Sequence, residues 1–223
     1  MTAAAPLIRM FHVYKRYGAT AVLSDITMDI SENEFMFVTG PSGAGKTTLL
    51  KLLYLGERPS EGQILVNGMN LTRIKRDKIP FLRRKFGIIF QDYNLIATKT
   101  VFDNIALVLE IAGHKKSLID KKVGSVLRTV GLEKKKNVYP PALSGGEQQK
   151  ITIARAIASD PKIILADEPT GSLDDDSAED VMALLKSFHE KGSTVIIATH
   201  DKDLVNSINA RELKLSHAEE QPE

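Results

Sequence analysis

Apolar and polar residues alternate over residues 7–13 and again over 22–30, as they do in half-buried strands. Tyr17-Gly18 falls between the two runs and reads as a turn. Glu34–Thr39 (EFMFVT) is instead a continuous apolar run that ends at Gly40, the pattern of a buried strand feeding a glycine-rich loop. Thr47–Leu55 reads as a helix, and Gln63–Val66 and Phe86–Phe90 as short strands. Residues 101–132 read as two helices with a break near Gly113-His114, and Pro140-Pro141 stops that region. Beyond it the pattern predicts a helix over Glu147–Ala158 and a buried strand over Lys162–Ala166. An amphipathic helix over Ser177–Glu190 and a buried strand over Thr194–Thr199 follow. The polar tail Ser216–Glu223 is expected to fray. Strands alternating with helices predict an α/β domain with a mostly parallel sheet. The strandless stretch of about 92–145 reads as a helical insertion in it.

Composition narrows the class. At about 150 residues per domain, 223 residues fit one domain with an insertion or two small ones. The 30 Lys and Arg against 28 Asp and Glu leave a net charge of +2, which lacks the basic excess of a general nucleic-acid binder. The absence of cysteine excludes disulfides, Cys-ligated zinc, iron–sulfur clusters and thiol catalysis. The segment Met1–Pro6 has no basic stretch followed by an apolar core, so no secretory signal is expected. The longest apolar candidate, Val101–Ala112, is broken by Asp103, Asn104 and Glu110 and is too short to span a bilayer. Any membrane role is therefore expected to run through a partner or a peripheral surface.

The chemistry concentrates after the first buried run. Gly40-Pro41-Ser42-Gly43-Ala44-Gly45-Lys46-Thr47 has the spacing G-x-x-x-x-G-K-[ST], with a strand before it and a helix after it. Glycines let backbone amides wrap phosphate oxygens, and the helix N-terminus adds positive potential. Lys46 is the group to reach the β- and γ-phosphates, and the Thr47 hydroxyl is the ligand for Mg²⁺. An acidic partner for that cation comes at the end of Ile163-Ile164-Leu165-Ala166-Asp167, and Glu168 follows it. Asp167 is expected to hold the metal through water while Glu168 accepts a proton from the attacking water.

A further stretch, Leu143-Ser144-Gly145-Gly146-Glu147-Gln148-Gln149-Lys150, carries the S-x-x-E capping-box spacing at a predicted helix start. Capping accounts for Ser144 and Glu147; Gly145 and Gly146 between them leave helix amides uncovered, as an anion site would. With this stretch the chain resembles the ABC (ATP-binding cassette) ATPases over about residues 8–207. The resemblance implies a P-loop NTPase of the ABC type, with a mostly parallel core sheet, an antiparallel β subdomain and a helical subdomain. Its approximate bounds are 7–91 and 146–215 for the core with the β subdomain, and 92–145 for the helical subdomain. It implies an ATP site over Gly40–Thr48 with Tyr17 stacking on adenine, Tyr14 being the alternative. Gln91 resembles the glutamine that senses Mg²⁺ and the membrane partner, Asp174 the D-loop residue at the dimer interface, and His200 the histidine that contacts the γ-phosphate. His12, His114, His189 and His217 match no motif. Two chains would sandwich two ATPs head to tail, each nucleotide meeting Ser144, Gly145, Gly146 and Glu147 of the other copy.

Within that family, Lys78-Ile79-Pro80-Phe81-Leu82-Arg83-Arg84, Val101-Phe102-Asp103-Asn104, Ile111-Ala112-Gly113 and Gly171-Ser172-Leu173-Asp174-Asp175 are similar to the FtsE-type cell-division group. That similarity implies an FtsX-like transmembrane partner, regulation of peptidoglycan hydrolysis, indirect links to division proteins, and a place on the cytoplasmic face of a bacterial inner membrane. The ATPases of lipoprotein-releasing and macrolide-type exporters share most of these motifs and are the alternative. A basic arm, Arg73, Lys75, Arg76, Lys78, Arg83, Arg84 and Lys85, reads either as solvated charge or as a contact for anionic lipid. Phe90, Tyr93, Leu95 and Phe102 read either as partner contacts or as core.

Overall fold

The computed structural model describes residues 5–217. Along the chain run β1 (Ile8–Tyr17), β2 (Thr20–Ile30), β3 (Phe35–Thr39), α1 (Lys46–Leu53), β4 (Glu61–Val66), β5 (Met69–Asn70), α2 (Ile79–Arg83) and β6 (Phe86–Ile89). Then come α3 (Val101–Ile111), α4 (Lys116–Thr129), α5 (Gly145–Ile157), β7 (Ile163–Asp167), α6 (Asp175–Glu190), β8 (Thr194–Thr199), α7 (Lys202–Asn206) and β9 (Arg211–Lys214). The chain forms two compact units: one runs to Arg83 and resumes at Thr194, and the other is Arg84–Ser193. Most of the tail expected to fray lies beyond residue 217, outside the described residues.

The first unit holds two sheets. β1 pairs antiparallel with β2 and with β4, and β4 with β5. β3 pairs parallel with β8 on one side and β9 on the other. Every residue of β8 is buried, which is why the interior VIIA of its sequence TVIIAT is a continuous apolar run rather than alternating. β9 is polar, RELK, and exposed along most of its length. It joins the sheet through backbone pairing, which its side chains do not advertise, so periodicity misses it; α2 and α7, five residues each, are too short to show a helical period.

The second unit pairs β6 with β7 in parallel and packs helices around them. Val101, Ile105 and Leu109 of α3, Ile119, Val123 and Leu127 of α4, and Ile151 and Ala154 of α5 share one buried cluster. Their spacings of three and four residues are the apolar stripes of helices that face a common core. Thr100 and Asp103 form a reciprocal capping box that starts α3. Among the described residues no helix is long and apolar enough to cross a membrane.

Two exposed cations of the basic arm also hold backbone carbonyls. Arg83 donates through Nη2 to the Leu55 carbonyl at 2.7 Å and through Nε to that of Tyr54 at 3.3 Å, just past the end of α1. Arg84 donates to the Ile111 carbonyl at 2.6 Å, at the end of α3. Both satisfy carbonyls that a helix end leaves without intrahelical partners, where positive charge is also favoured.

Replacing Leu109, fully buried in the helical cluster, with alanine is expected to lower unfolding free energy by about 2–5 kcal/mol. Leu118→Ala, at a side chain 39% exposed, should change it by less than about 1 kcal/mol. Urea denaturation of the two variants checks the contrast.

Candidate functional site

In the first unit, the register β3–β8 sets Thr39 beside Thr199, so the residues that follow, Gly40 and His200, leave the sheet at the same end. That end is where parallel sheets carry ligands. Residues 40–45 turn from β3 into α1, whose N-cap, Gly45, has φ +93° and provides no side-chain cap. The first amides of α1 therefore keep their capacity for an anion. Lys46 is 8% exposed, and its Nζ donates to the carbonyls of Gly40 at 2.8 Å and Pro41 at 3.2 Å. Thr47 and Thr48 are half-buried on the first turn. Gly40 has φ +147°, and a Cβ there would collide with the Leu215 carbonyl, where the chain leaving β9 donates from the Leu215 amide to Thr39 O at 2.7 Å. The glycine is thus required by the chain's own packing as well as by any ligand.

Tyr17 ends β1 with its side chain exposed, and the Lys15 ammonium lies 4.5 Å from its ring centroid. Tyr14 is half-buried. Of the two, Tyr17 is the more exposed. His200 is exposed and is followed by Asp201, which caps α7 by accepting from the amides of Asp203 and Leu204 at 2.9 and 3.0 Å.

In the second unit, the register β6–β7 sets Ile89 beside Ala166, which brings the segment of Gln91 to the strand end that carries Asp167 and Glu168. Gln91 is exposed, Asp167 is 8% exposed, and Glu168 adopts φ +45°. A cleft of about 350 Å³ opens beside Gln91, lined also by Tyr93, Asn94, Pro141, Gln148 and Ser172. Leu95 and Phe102 are partly buried against the helical cluster, and Leu95 and Tyr93 line the cleft.

The predicted capping box is present. Ser144 Oγ accepts from the Glu147 amide at 3.2 Å, and Glu147 Oε2 accepts from the Ser144 amide at 3.1 Å. Lys135 pairs with the other Glu147 oxygen at 3.1 Å. The amide of Ser144 and then Lys135 hold the Glu147 carboxyl below the usual carboxylate range. Asp174 caps α6, accepting from the Ser177 amide at 2.9 Å and the Ser177 hydroxyl at 3.1 Å, and these bonds hold its carboxyl low. Gly146 also has a packing role that the sequence does not show. It is buried, and a Cβ would collide with the Ser177 side chain, so close packing of α5 on α6 accounts for this glycine.

Sequence reasoning passed over two residues of α5. Arg155 donates to the carbonyls of Asn94 at 2.6 Å and Tyr93 at 3.0 Å, which fixes the segment after Gln91 to the helix. Gln149, 2% exposed, donates to the Pro169 carbonyl at 2.7 Å. Polar side chains on an otherwise core-facing helix are the only trace of either role in the sequence.

Residues 23–171 match the family described as ABC transporter. The chain belongs to the ABC transporter family. Among its relatives, this ABC cassette is 46% identical over 206 residues to the cell division ATP-binding protein FtsE of Bacillus subtilis, covering 92% of this chain and 90% of that protein. It is 46% identical to the FtsE of Escherichia coli over 94% of this chain and 95% of that one, and 43% identical to that of Mycobacterium tuberculosis over 94% and 92%. The cassette also superimposes on the dimeric structure of MJ0796, a bacterial ABC transporter cassette, with a TM-score of 0.87 at 34% identity, covering 94% of each chain. A dimeric post-hydrolysis state of MJ0796 bound to ADP and Pi matches with a TM-score of 0.85 at 34% identity, over 93% of this chain and 94% of that one.

Gly40→Ala is expected to lower the unfolding midpoint of the nucleotide-free cassette by more than Gly18→Ala does. Both positions have positive φ, worth about 1–2 kcal/mol each, but a Cβ at Gly18 meets nothing within 4 Å. Thermal melts of the two variants test this, and equal midpoints would contradict the Leu215 contact.

Proposed function

We propose that the chain is the ATP-binding and hydrolysing subunit of a cell-division complex. It dimerises on ATP and drives an FtsX-like membrane partner that regulates peptidoglycan hydrolysis, from the cytoplasmic face of the inner membrane. The observation that carries this reading is the strand end of β7. A full pair of carboxylates, Asp167 and Glu168, stands there with Gln91 arriving at the same end and an open cleft beginning at Gln91. A module that only bound nucleotide would need no base, and a hydrolase acting alone would need no cleft beside the residue that senses the nucleotide.

In this reading the amides of Gly40–Thr48 and the Lys46 ammonium hold the triphosphate, and Lys46 exchanges its two carbonyl partners for phosphate oxygens. Tyr17 stacks on adenine. Thr47, Gln91 and, through water, Asp167 present oxygen donors of the kind Mg²⁺ prefers. Bound Mg²⁺ supplies charge neutralisation on the β- and γ-phosphate oxygens. Glu168 accepts the proton of the attacking water, His200 contacts the γ-phosphate, and Ser144, Gly145, Gly146 and Glu147 meet the nucleotide of the second copy, with Asp174 near the interface. The helical segment 92–145 and the cleft at Gln91 face the membrane partner. The basic arm over residues 73–85, with the exposed Phe81 beside Lys78, forms the proposed contact for anionic lipid.

Glu168→Gln is expected to lower ATP turnover by about 10²–10⁴-fold with ATP affinity changed by no more than a few-fold. Lys46→Ala should instead abolish measurable ATP binding. Steady-state phosphate release and nucleotide titration check the pair, and near-normal turnover of Glu168→Gln would remove Glu168 from its role.

A further inference from the structure

Gln149 occupies a place that an apolar side chain would fill with less difficulty. Its Nε2 donates to the Pro169 carbonyl at 2.7 Å, but its buried Oε1 has no hydrogen-bond partner among the described residues. An unpaired buried acceptor is destabilising, and methionine or leucine would avoid it. The bond it makes lands beside a second unfavourable feature. Glu168, immediately before Pro169, is held at φ +45°, a region non-glycine residues avoid, and a following proline restricts its backbone further. Backbone conformations of this kind persist where the surroundings over-determine them. On this turn the Gly171 amide donates to the Glu168 carbonyl at 3.3 Å, and Gln149 holds the next carbonyl at the shorter distance.

We propose that Gln149 is a positioning residue for hydrolysis: by holding the Pro169 carbonyl it fixes the backbone from which Glu168 presents its carboxylate. This rests on the assignment of Glu168 as the base. Gln149 stands on α5, whose first turn carries Ser144, Gly145 and Gly146. The helix assigned to the second copy's nucleotide thereby orients the base that serves its own. The position of α5 then sets the geometry of Glu168.

The test uses Gln149→Met, which keeps length and apolar bulk and removes the donor. Expected is a fall in kcat of about 10–100-fold, with KM for ATP and ATP affinity within about threefold and an unfolding midpoint no lower than wild type. If methionine is not accommodated, as a lowered midpoint would reveal, Gln149→Leu is measured against the same criteria. Added to Glu168→Gln, either substitution should cause no further loss, because it acts through the side chain already removed. A kcat within twofold of wild type, a loss confined to KM, or an undiminished extra loss in the Glu168→Gln background would overturn the proposal. The Glu168 assignment fails separately, if Glu168→Gln alone retains turnover.

Discussion

Two strands that pair in parallel bring their C-terminal ends to one edge, and whatever chemistry the chain sets there must come from the segments that follow. This constraint acts twice here. Pairing of Thr39 with Thr199 sends Gly40 and His200 out at a common end, although they lie far apart in sequence. Pairing of Ile89 with Ala166 does the same for the segments carrying Gln91 and the Asp167-Glu168 pair. Neither register is free to slip, because the strands that set it are almost wholly buried and a slip would strand apolar side chains. The Gly40–Gly45 loop and the Asp167-Glu168 pair inherit their placement from the apolar strands they follow or end.

Within the second unit α5 is the element on which the chemistry leans. Its cap fixes Ser144 and Glu147, and Gly146 allows α6 to approach. Lys150 reaches Asp180 of α6 at 2.6 Å, Gln149 holds the turn after Glu168, and Arg155 holds the chain after Gln91. One face of the same helix is buried in the cluster shared with α3 and α4. A helix fixed by packing on one side and by polar contacts to two functional turns on the other moves those turns when it moves. That is the arrangement a device needs to link nucleotide with a membrane partner.

The sequence made legible whatever depends on side-chain type. The phosphate loop, the buried runs before and after it, the capping box at Ser144 and the paired carboxylates all read directly from residue identity and spacing. What stayed hidden depends on backbone groups or on neighbours distant in sequence. β9 joins its sheet through amides and carbonyls, and its polar sequence gives no sign of it. Arg83, Arg84, Arg155 and Gln149 act by donating to carbonyls, which every residue possesses. The packing role of Gly146 stayed hidden because the sequence does not show Ser177 beside it. The same helix was read correctly as to its start and incompletely as to what it holds.

The central claim is that one chain carries two half-sites and that ATP completes them by joining two copies. Sedimentation velocity of the Glu168→Gln protein with ATP and Mg²⁺, compared with ADP and with no nucleotide, tests it most directly. The account predicts a species of twice the chain mass with ATP alone, lost again when Ser144 is replaced by a bulky arginine. A single-chain species under all three conditions, with ATP bound, would contradict it.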